Sequence, residues 1–197
     1  MSFKGEIVLA TRNSHKVREI REIFEGSGVS FRTLDEFPSV PDVPEDEETF
    51  RGNALKKARH VSRSLNLPAL ADDSGLEVDA LGGEPGVRSA RYSGGGAGEN
   101  NAMLLEKMKD VPAEKRTARF RCVAALCSPG LEPVVAEGKV EGRIGVAEKG
   151  KDGFGYDPLF TPLGHDRTFA EMAAEEKNNM SHRGNAMREL KRLLEAL

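Results

Sequence analysis

Residues 11–16 combine hydroxyl, amide and cationic side chains at a predicted junction between a strand and a helix; they read Thr11-Arg12-Asn13-Ser14-His15-Lys16. Free backbone N–H groups and the positive end of a helix dipole attract an anion at such a place. The Thr, Asn and Ser side chains can donate hydrogen bonds to a phosphate, and Lys16 can supply a point charge. Helix caps use the same residue types, so this segment alone favours capping.

Two adjacent carboxylates, Asp72 and Asp73, follow an apolar run and precede Ser74-Gly75. Adjacent strand residues point to opposite faces, so we expect only one of them to reach a given cleft directly. Carboxylate oxygens and substrate phosphates are the ligands that Mg²⁺ prefers, and residues 45–48 are a third acidic source. An Asx turn with solvated carboxylates explains the same pair about equally well.

The segment Gly153-Phe154-Gly155-Tyr156-Asp157-Pro158 places an aromatic pair in a bend that glycine permits. An aromatic side chain on such a loop offers a face on which a nucleobase can stack. A packed turn is the commoner explanation of the pattern.

Cationic and imidazole donors occur at Lys177 and in Ser181-His182-Arg183-Gly184, at the start of the last predicted helix. Hypoxanthine and guanine present acceptors at the 6-oxo and N7 positions, whereas adenine carries a 6-amino donor in place of the 6-oxo group. A site built from donors rejects a 6-amino group because polar atoms would be left unpaired. Taken alone, a His-Arg pair near a helix N-terminus favours no function.

Apolar spacing predicts the elements that position these segments. Strands are expected at 6–10, 29–34 and 68–81, and two alternating runs at 117–127 and 133–144 predict a long antiparallel hairpin. Helices are expected after residue 16, around 101–109 and along two apolar stripes; residues 38–48 and the glycine-rich 94–98 are expected to be loops. The stripes are Phe50, Ala54, Ala58, Val61, Leu65 and Met187, Leu190, Leu194, Leu197.

The composition limits the class of protein. The chain has 197 residues, a net charge of −3 and 38% hydrophobic residues, and this length suits one domain over residues 1–197. The order of the predicted strands and helices makes that domain α/β. The acidic balance disfavours a nucleic-acid partner. No apolar run reaches the roughly 18 residues of a membrane span, and no signal segment is evident, so a cytoplasmic location is expected. Cys122 and Cys127 fall on opposite strand faces, which disfavours a disulfide.

The segments together resemble the inosine triphosphate pyrophosphatase family, also described as dITP/XTP pyrophosphatases. The resemblance extends over nearly the whole chain, and four separated motifs in the same order are more specific than any one of them. The matching text is LATRNSHK at 9–16, ETFRGNALKKA at 48–58, LADDSGLEVDALGGEPGVRSARYSG at 70–94, GFGYDPLF at 153–160 and EEKNNMSHRGNA at 175–186.

The resemblance implies an elongated two-lobed α/β fold, with a long mixed β-sheet flanked by helices and a nucleotide cleft between the lobes. It also implies a homodimer that uses Mg²⁺ to cut purine nucleoside triphosphates such as ITP, dITP and XTP between the α and β phosphates. The products are a monophosphate and pyrophosphate, and the task is to clear non-standard nucleotides from the pool.

The resemblance also assigns roles to residues of this chain. Residues Thr11 to Lys16 would hold the phosphates with help from Lys57, and Asp73 would be both proton acceptor and metal ligand. The neighbouring Asp72 lies close to that centre. The remaining assignments concern the nucleotide: Ser74 would touch it, Phe154 would stack on the base, Gly155, Tyr156 and Asp157 would shape the pocket, and Lys177, His182 and Arg183 would read the base.

Two departures from the family pattern leave alternatives open. The first departure is at residues 45–48, where four acidic residues precede Thr49-Phe50 and the family pattern has an acidic pair followed by Gly-x. Counting back from Thr49-Phe50 makes Glu45 the second metal ligand, with Glu47 and Glu48 as the alternatives. The loop at 94–98 is more glycine-rich than the family pattern. Either Asp72 or Asp73 could orient the attacking water.

Two other functions compete with this interpretation. One is a pyrophosphatase for other nucleotides, and the other is a non-catalytic nucleotide- or RNA-binding module, which would leave the paired aspartates unused.

Overall fold

The computed structural model describes residues 5–195, and its strands form one six-stranded sheet. The strands are β1 (Gly5–Leu9), β2 (Val29–Thr33), β3 (Ala69–Val78), β4 (Thr117–Cys127), β5 (Val134–Ile144) and β6 (Phe160–Pro162). Their order in the sheet is β2-β1-β3-β4-β5-β6.

The sheet is mixed in strand direction. Strand β1 pairs in parallel with both β2 and β3, whereas β5 and β6 are antiparallel. The connection between the neighbouring strands β4 and β5 is only residues 128–133. A parallel crossover needs a dozen or more residues, so β4 and β5 form the antiparallel hairpin that the sequence predicts.

The helices are α1 (Ser14–Ile23), α2 (Phe50–Leu65), α3 (Ala97–Lys107), α4 (Ala174–Met180) and α5 (His182–Glu195). Of the apolar stripe predicted for the last helix, Met187, Leu190 and Leu194 are buried, and Leu197 lies outside the described residues. In the part of the chain that the structure describes, no helix is long and apolar enough to cross a membrane.

The chain divides into two compact units. The first comprises residues 5–73, 122–138 and 183–195. Its core joins one face of β1, β3 and β4 to helices α1 and α5, because their apolar residues recur with strand and helix periods. The buried members are Ile7, Leu9, Ile20, Phe24, Leu70, Cys122, Ala124, Leu126, Ala136, Ala186, Met187, Leu190 and Leu194.

The second unit comprises residues 74–121 and 139–182. Its core combines the remaining parts of β3, β4 and β5 with α3, β6 and the segment after β6. Three phenylalanines pack together here, with ring centroids 4.7 Å apart for Phe120 and Phe160 and 5.2 Å for Phe160 and Phe169.

The main elements confirm the predicted order, and the differences have local causes. Helix α3 begins at Ala97, inside the segment predicted to be a loop, because the Glu99 carboxylate accepts a hydrogen bond from Gly96 N at 3.0 Å and caps the helix. The sequence did not predict β6 or α4. Both are short, so they carry too few residues for a periodic signal. Both cysteines are buried free thiols.

Candidate functional site

The parallel pairing of β1 with β3 places the first polar segment beside the paired aspartates. Ala10 N donates to Leu70 O at 2.8 Å, so residues 11–16 leave β1 at the same edge where β3 reaches Asp72. The carboxyl ends of parallel strands are where open α/β sheets bind ligands.

Helix α1 begins at this edge with a side-chain cap. The side-chain oxygen Oδ1 of Asn13 accepts hydrogen bonds from His15 N at 3.0 Å and Lys16 N at 3.2 Å. The backbone N of Asn13 donates to Thr11 Oγ1 at 3.2 Å. The capping interpretation is therefore confirmed for Asn13. Ser14 is exposed in the first turn of the helix. Phosphate binding by this segment stays a prediction.

Arg12 and His15 are engaged elsewhere. The Arg12 guanidinium bonds Asp42 at 2.9 Å, Asp35 at 3.2 Å and the carbonyl of Val40 at 3.1 Å. It thereby ties the acidic, proline-containing segment to the end of β1. His15 Nδ1 lies 3.0 Å from the Arg18 guanidinium.

Asp72 lies in a buried cluster of cations. Its Oδ2 accepts from Arg183 Nε at 3.2 Å and Nη2 at 3.1 Å and lies 3.0 Å from Lys16 Nζ. Arg183 also pairs with Glu19 of α1. Burial by itself raises the pKa of Asp72, but the attraction of Lys16, Arg183 and Lys57 outweighs it and holds that pKa far below its ordinary value. Asp72 is therefore a permanently charged anchor.

Asp73 has different partners, all from α2 and the segment before it. Asn53 Nδ2 donates to Asp73 Oδ2 at 3.0 Å, and Lys57 Nζ lies 3.5 Å from Asp73 Oδ1. The same ammonium group donates to Asp72 O at 2.8 Å and forms a salt bridge with Glu45.

The charge balance at Asp73 is opposite to that at Asp72. Burial raises the pKa of Asp73, Lys57 opposes the rise, and the nearby Glu45 carboxylate adds to it. The net direction is upward. The pKa of Lys57 is raised as well. Burial alone would lower it, but the attraction of Asp73, Asp72 and Glu45 outweighs burial. A carboxylate with a raised pKa is the better proton acceptor of the pair.

Glu45 and Asp73 are the carboxylates that converge on Lys57, whereas Glu47 and Glu48 are exposed. Across residues 5–195, no group of three or more His, Cys, Asp or Glu side chains is arranged to hold a metal ion. Mg²⁺ in phosphate-handling sites is commonly held by one or two carboxylates, with phosphate oxygens and water completing the shell. Two convergent carboxylates fit that requirement.

In the second unit, residues 153–157 form a tight loop around one carboxylate. Asp157 Oδ2 accepts from Phe154 N at 2.8 Å and from Lys177 Nζ at 2.7 Å. Gly153 has φ +74°, and a Cβ at this position would lie 2.2 Å from the same Asp157 oxygen, so only glycine fits. The Lys177 ammonium lies 4.9 Å from the centroid of the Phe154 ring. This contact orients the aromatic face.

The other predicted base-pocket residues are also ordered by local contacts. The Tyr156 hydroxyl donates to Ser89 O at 2.9 Å, and the buried His182 ring stacks on Phe120 at 4.7 Å. Burial raises the pKa of Tyr156, so its hydroxyl stays protonated. Ser74 is partly buried in β3.

Sequence reasoning missed three residues that contact the predicted site residues. Asn53 donates to Asp73, Glu19 pairs with Arg183, and Asn101 donates to the carbonyl of Gly155. The first precedes Lys57 by four positions, and Glu19 follows Lys16 by three. Residues three or four apart on a helix share a face, so this spacing was a usable signal. Asn101 gave no such signal, because its contacts lie 47 and 54 residues away along the chain.

Comparison with known proteins identifies the class to which this fold and these clusters belong. The model of the Ham1 family matches residues 7–193, and the chain belongs to that family. The dITP/XTP pyrophosphatase of Geobacter sulfurreducens is 51% identical over 187 residues, which is 94% of each chain. The dITP/XTP pyrophosphatase of Bacillus subtilis is 44% identical over 198 residues and the full length of both.

Solved structures agree with the fold. The Ham1 protein of Staphylococcus aureus superposes with a TM-score of 0.87 at 39% identity, covering 97% of this chain and 98% of that one. A HAM1 protein from Coxiella burnetii gives a TM-score of 0.88 at 42% identity, covering 98% and 99%. The family predicted from the sequence motifs is confirmed.

Proposed function

We propose that this protein hydrolyses non-standard purine nucleoside triphosphates, namely dITP, XTP and ITP, to the monophosphate and pyrophosphate. The observation that carries the proposal is the Asp73 carboxylate, whose pKa is raised and which lies beside Lys57 and Glu45 within one unit. The full-length relatives named dITP/XTP pyrophosphatases support the reaction and the substrate class.

Asp73 acts as the general base. Its raised pKa brings the carboxylate closer to the range in which it removes a proton from water efficiently. Asn53 Nδ2 donates to Asp73 Oδ2 at 3.0 Å, and the other carboxylate oxygen, Oδ1, faces Lys57. Asp72 does not share this role, because the surrounding cations make it a very weak base. It instead fixes the position of Lys16 through a 3.0 Å ion pair.

The phosphate chain is bound by Lys16, by Lys57 and by the start of α1. Lys16 and the helix N-terminus stabilise negative charge as pyrophosphate leaves. Thr11 and Ser14 add hydroxyl donors. The water attacks the α-phosphorus in line with the departing oxygen, and no covalent nucleophile takes part. The buried Cys122 is unsuited to that role, because burial and the neighbouring Asp72 raise its pKa.

Glu45 and Asp73 are the residues that would hold Mg²⁺. When bound, the ion supplies charge neutralisation at the phosphate oxygens. The convergence of both carboxylates on the Lys57 ammonium group supports the proposal, because it places them near one another.

The base is recognised by the loop at residues 153–157 together with Lys177 and His182. Phe154 offers its face for stacking, which is worth roughly 1–3 kcal/mol for a base on an aromatic side chain. Gly155, Tyr156 and Asp157 shape the pocket, and Lys177 and His182 supply donors for a 6-oxo purine. Arg183 is buried between Asp72 and Glu19, and its direct reading of the base stays a prediction.

The biological setting follows from this chemistry. Removal of deaminated purine nucleotides protects nucleic-acid synthesis from mispairing precursors, and the protein would perform it in the cytoplasm as a homodimer. The assembly is checked by the molecular mass in solution, measured by light scattering.

The experiment that tests the proposal is pyrophosphate release from ITP, XTP, dITP, GTP, ATP and dTTP, with and without Mg²⁺. Fast Mg²⁺-dependent release from ITP, XTP and dITP, with ATP and dTTP nearly inert, is the expected result. Release of orthophosphate would mean that a different bond is cut. Nucleotide binding without turnover would support a non-catalytic binding module, and equal turnover of dTTP would support a pyrophosphatase for other nucleotides.

A further inference from the structure

Asn101, on the buried face of α3, connects two separate parts of the second unit. Its side chain is 3% exposed. Its Nδ2 donates to Glu148 Oε1 at 2.7 Å and to the backbone carbonyl of Gly155 at 3.2 Å. Both partners are acceptors, so the network itself fixes which end of the amide carries the nitrogen.

The contact with Gly155 falls at the centre of the loop that presents Phe154. Gly155 has φ +61°, a conformation that the residue adopts readily but does not enforce. On either side of Gly155 the loop is held by a hydrogen bond. Phe154 N donates to Asp157 Oδ2, and the Tyr156 hydroxyl donates to Ser89 O. Asn101 supplies the anchor between them, at the carbonyl of the peptide that joins Gly155 to Tyr156.

Stability alone does not explain a buried amide at this position. Asn101 Oδ1 is buried and has no hydrogen-bond partner among the described residues. A buried polar atom without a partner costs stability; an apolar side chain would avoid that cost, but it would leave the Gly155 carbonyl without this donor. The amide is instead suited to holding the Gly155 carbonyl in one orientation.

We infer that Asn101 is a positioning residue for base binding, which holds the loop that presents the Phe154 ring through its hydrogen bond to the Gly155 carbonyl. The inference rests on the proposed function, because it concerns the loop that contacts the base. Loss of the hydrogen bond lets the peptide between Gly155 and Tyr156 rotate, which loosens the loop that presents Phe154. The ring then has to be reordered each time a nucleotide binds, and the cost falls on binding rather than on the chemical step.

The test compares Asn101→Ala and Asn101→Asp with the wild-type enzyme, using ITP and ATP as substrates. Both variants lose the donor to Gly155 O. We expect KM for ITP to rise about fivefold, the factor that one typical hydrogen bond is worth, with kcat little changed. KM for ATP rises by a similar factor, because stacking on an aromatic ring does not distinguish the two bases. Glu148→Gln retains a carbonyl acceptor for Asn101 and should keep both KM values of the wild type.

Two further variants make the result decisive. Leu104→Ala removes a fully buried side chain from the same helix and should lower the thermal midpoint without changing KM. An equal rise of KM in Leu104→Ala would overturn the inference, because general loosening of the unit would then suffice. Phe154→Ala separates the inference from the proposed function: a raised KM there, with Asn101→Ala unchanged, overturns the role of Asn101 alone. A wild-type enzyme without turnover on either nucleotide overturns both.

Discussion

Arg183 and Asp72 form a buried ion pair in which two nitrogens of one guanidinium donate to a single carboxylate oxygen, at 3.2 and 3.1 Å. Both residues are 1% exposed. Glu19 occupies another side of the same guanidinium, so α1, β3 and α5 meet at this pair. The contact gives Arg183 a structural task in addition to the base recognition that the family resemblance implies, which stays a prediction.

Replacement of Arg183 should therefore affect folding as well as activity. Arg183→Ala removes the guanidinium that pairs with both Asp72 and Glu19, although Lys16 still pairs with Asp72, and breaking such a buried pair from one side costs about 3–5 kcal/mol. For a domain of this size that corresponds to a fall of roughly 10 °C in the thermal midpoint. Calorimetry of the variant checks the expectation. The matched control is Arg188→Ala on the exposed face of the same helix, which should stay within about 0.5 kcal/mol. Equal midpoints for both variants would refute the structural role.

Asp73→Asn should remove the base without harming the fold. We expect turnover of ITP to fall about 10²-fold or more. A carboxylate whose pKa is raised by folding destabilises the folded state when it is charged, so the neutral amide should hold or raise the thermal midpoint at pH 7. Steady-state kinetics and thermal unfolding at one pH measure both quantities. Turnover close to that of the wild type would show that another group accepts the proton.

Asn53 should influence catalysis through Asp73. Asn53→Ala removes the 3.0 Å hydrogen bond to Asp73 Oδ2 and the acceptor of Glu47 N. We expect kcat to fall about tenfold, since a hydrogen bond to a charged group is worth roughly 1.5–3 kcal/mol, only part of which acts on the chemical step. Ser64→Ala, on the exposed side of α2, is the control and should leave kcat unchanged. A loss confined to KM would contradict a role in orienting the base.

Glu45 should control the demand for Mg²⁺. Glu45→Gln removes one of the two convergent carboxylates, and we expect the Mg²⁺ concentration for half-maximal rate to rise about tenfold, within the range seen when support of a metal site is lost. The paired variant Glu48→Gln alters an exposed carboxylate of the same segment and should leave the Mg²⁺ dependence as it is. The reverse ranking of the two variants would assign the metal to the other glutamate.

Much of the fold was predictable because its elements carry strong periodic signals. The stripe of α2 and the alternation along β4 and β5 each extend over ten or more residues, and the observed bounds differ from the predicted ones by a residue or two. The start of α3 was not predictable from glycine content, since a single capping carboxylate, Glu99, outweighs the low helix propensity of Gly98.

The candidate site was predictable in its residue types but not in its pairings. Strand alternation predicts that Asp72 and Asp73 point to opposite faces, and their side chains have different hydrogen-bond partners, although Lys57 acts on both. Their opposite pKa shifts depend on which cations reach each carboxylate, and this is decided by tertiary packing. Arg183 and Glu19 are 164 positions apart along the chain, so no local pattern could have joined them.

The central claim is that a water deprotonated at Asp73 attacks the α-phosphorus and that pyrophosphate leaves. It is tested most directly by a single turnover of ITP in ¹⁸O-labelled water, with mass spectrometry of both products. We predict that the label enters the monophosphate and that pyrophosphate stays unlabelled. Label in the pyrophosphate would place the attack on the β-phosphorus and contradict the account.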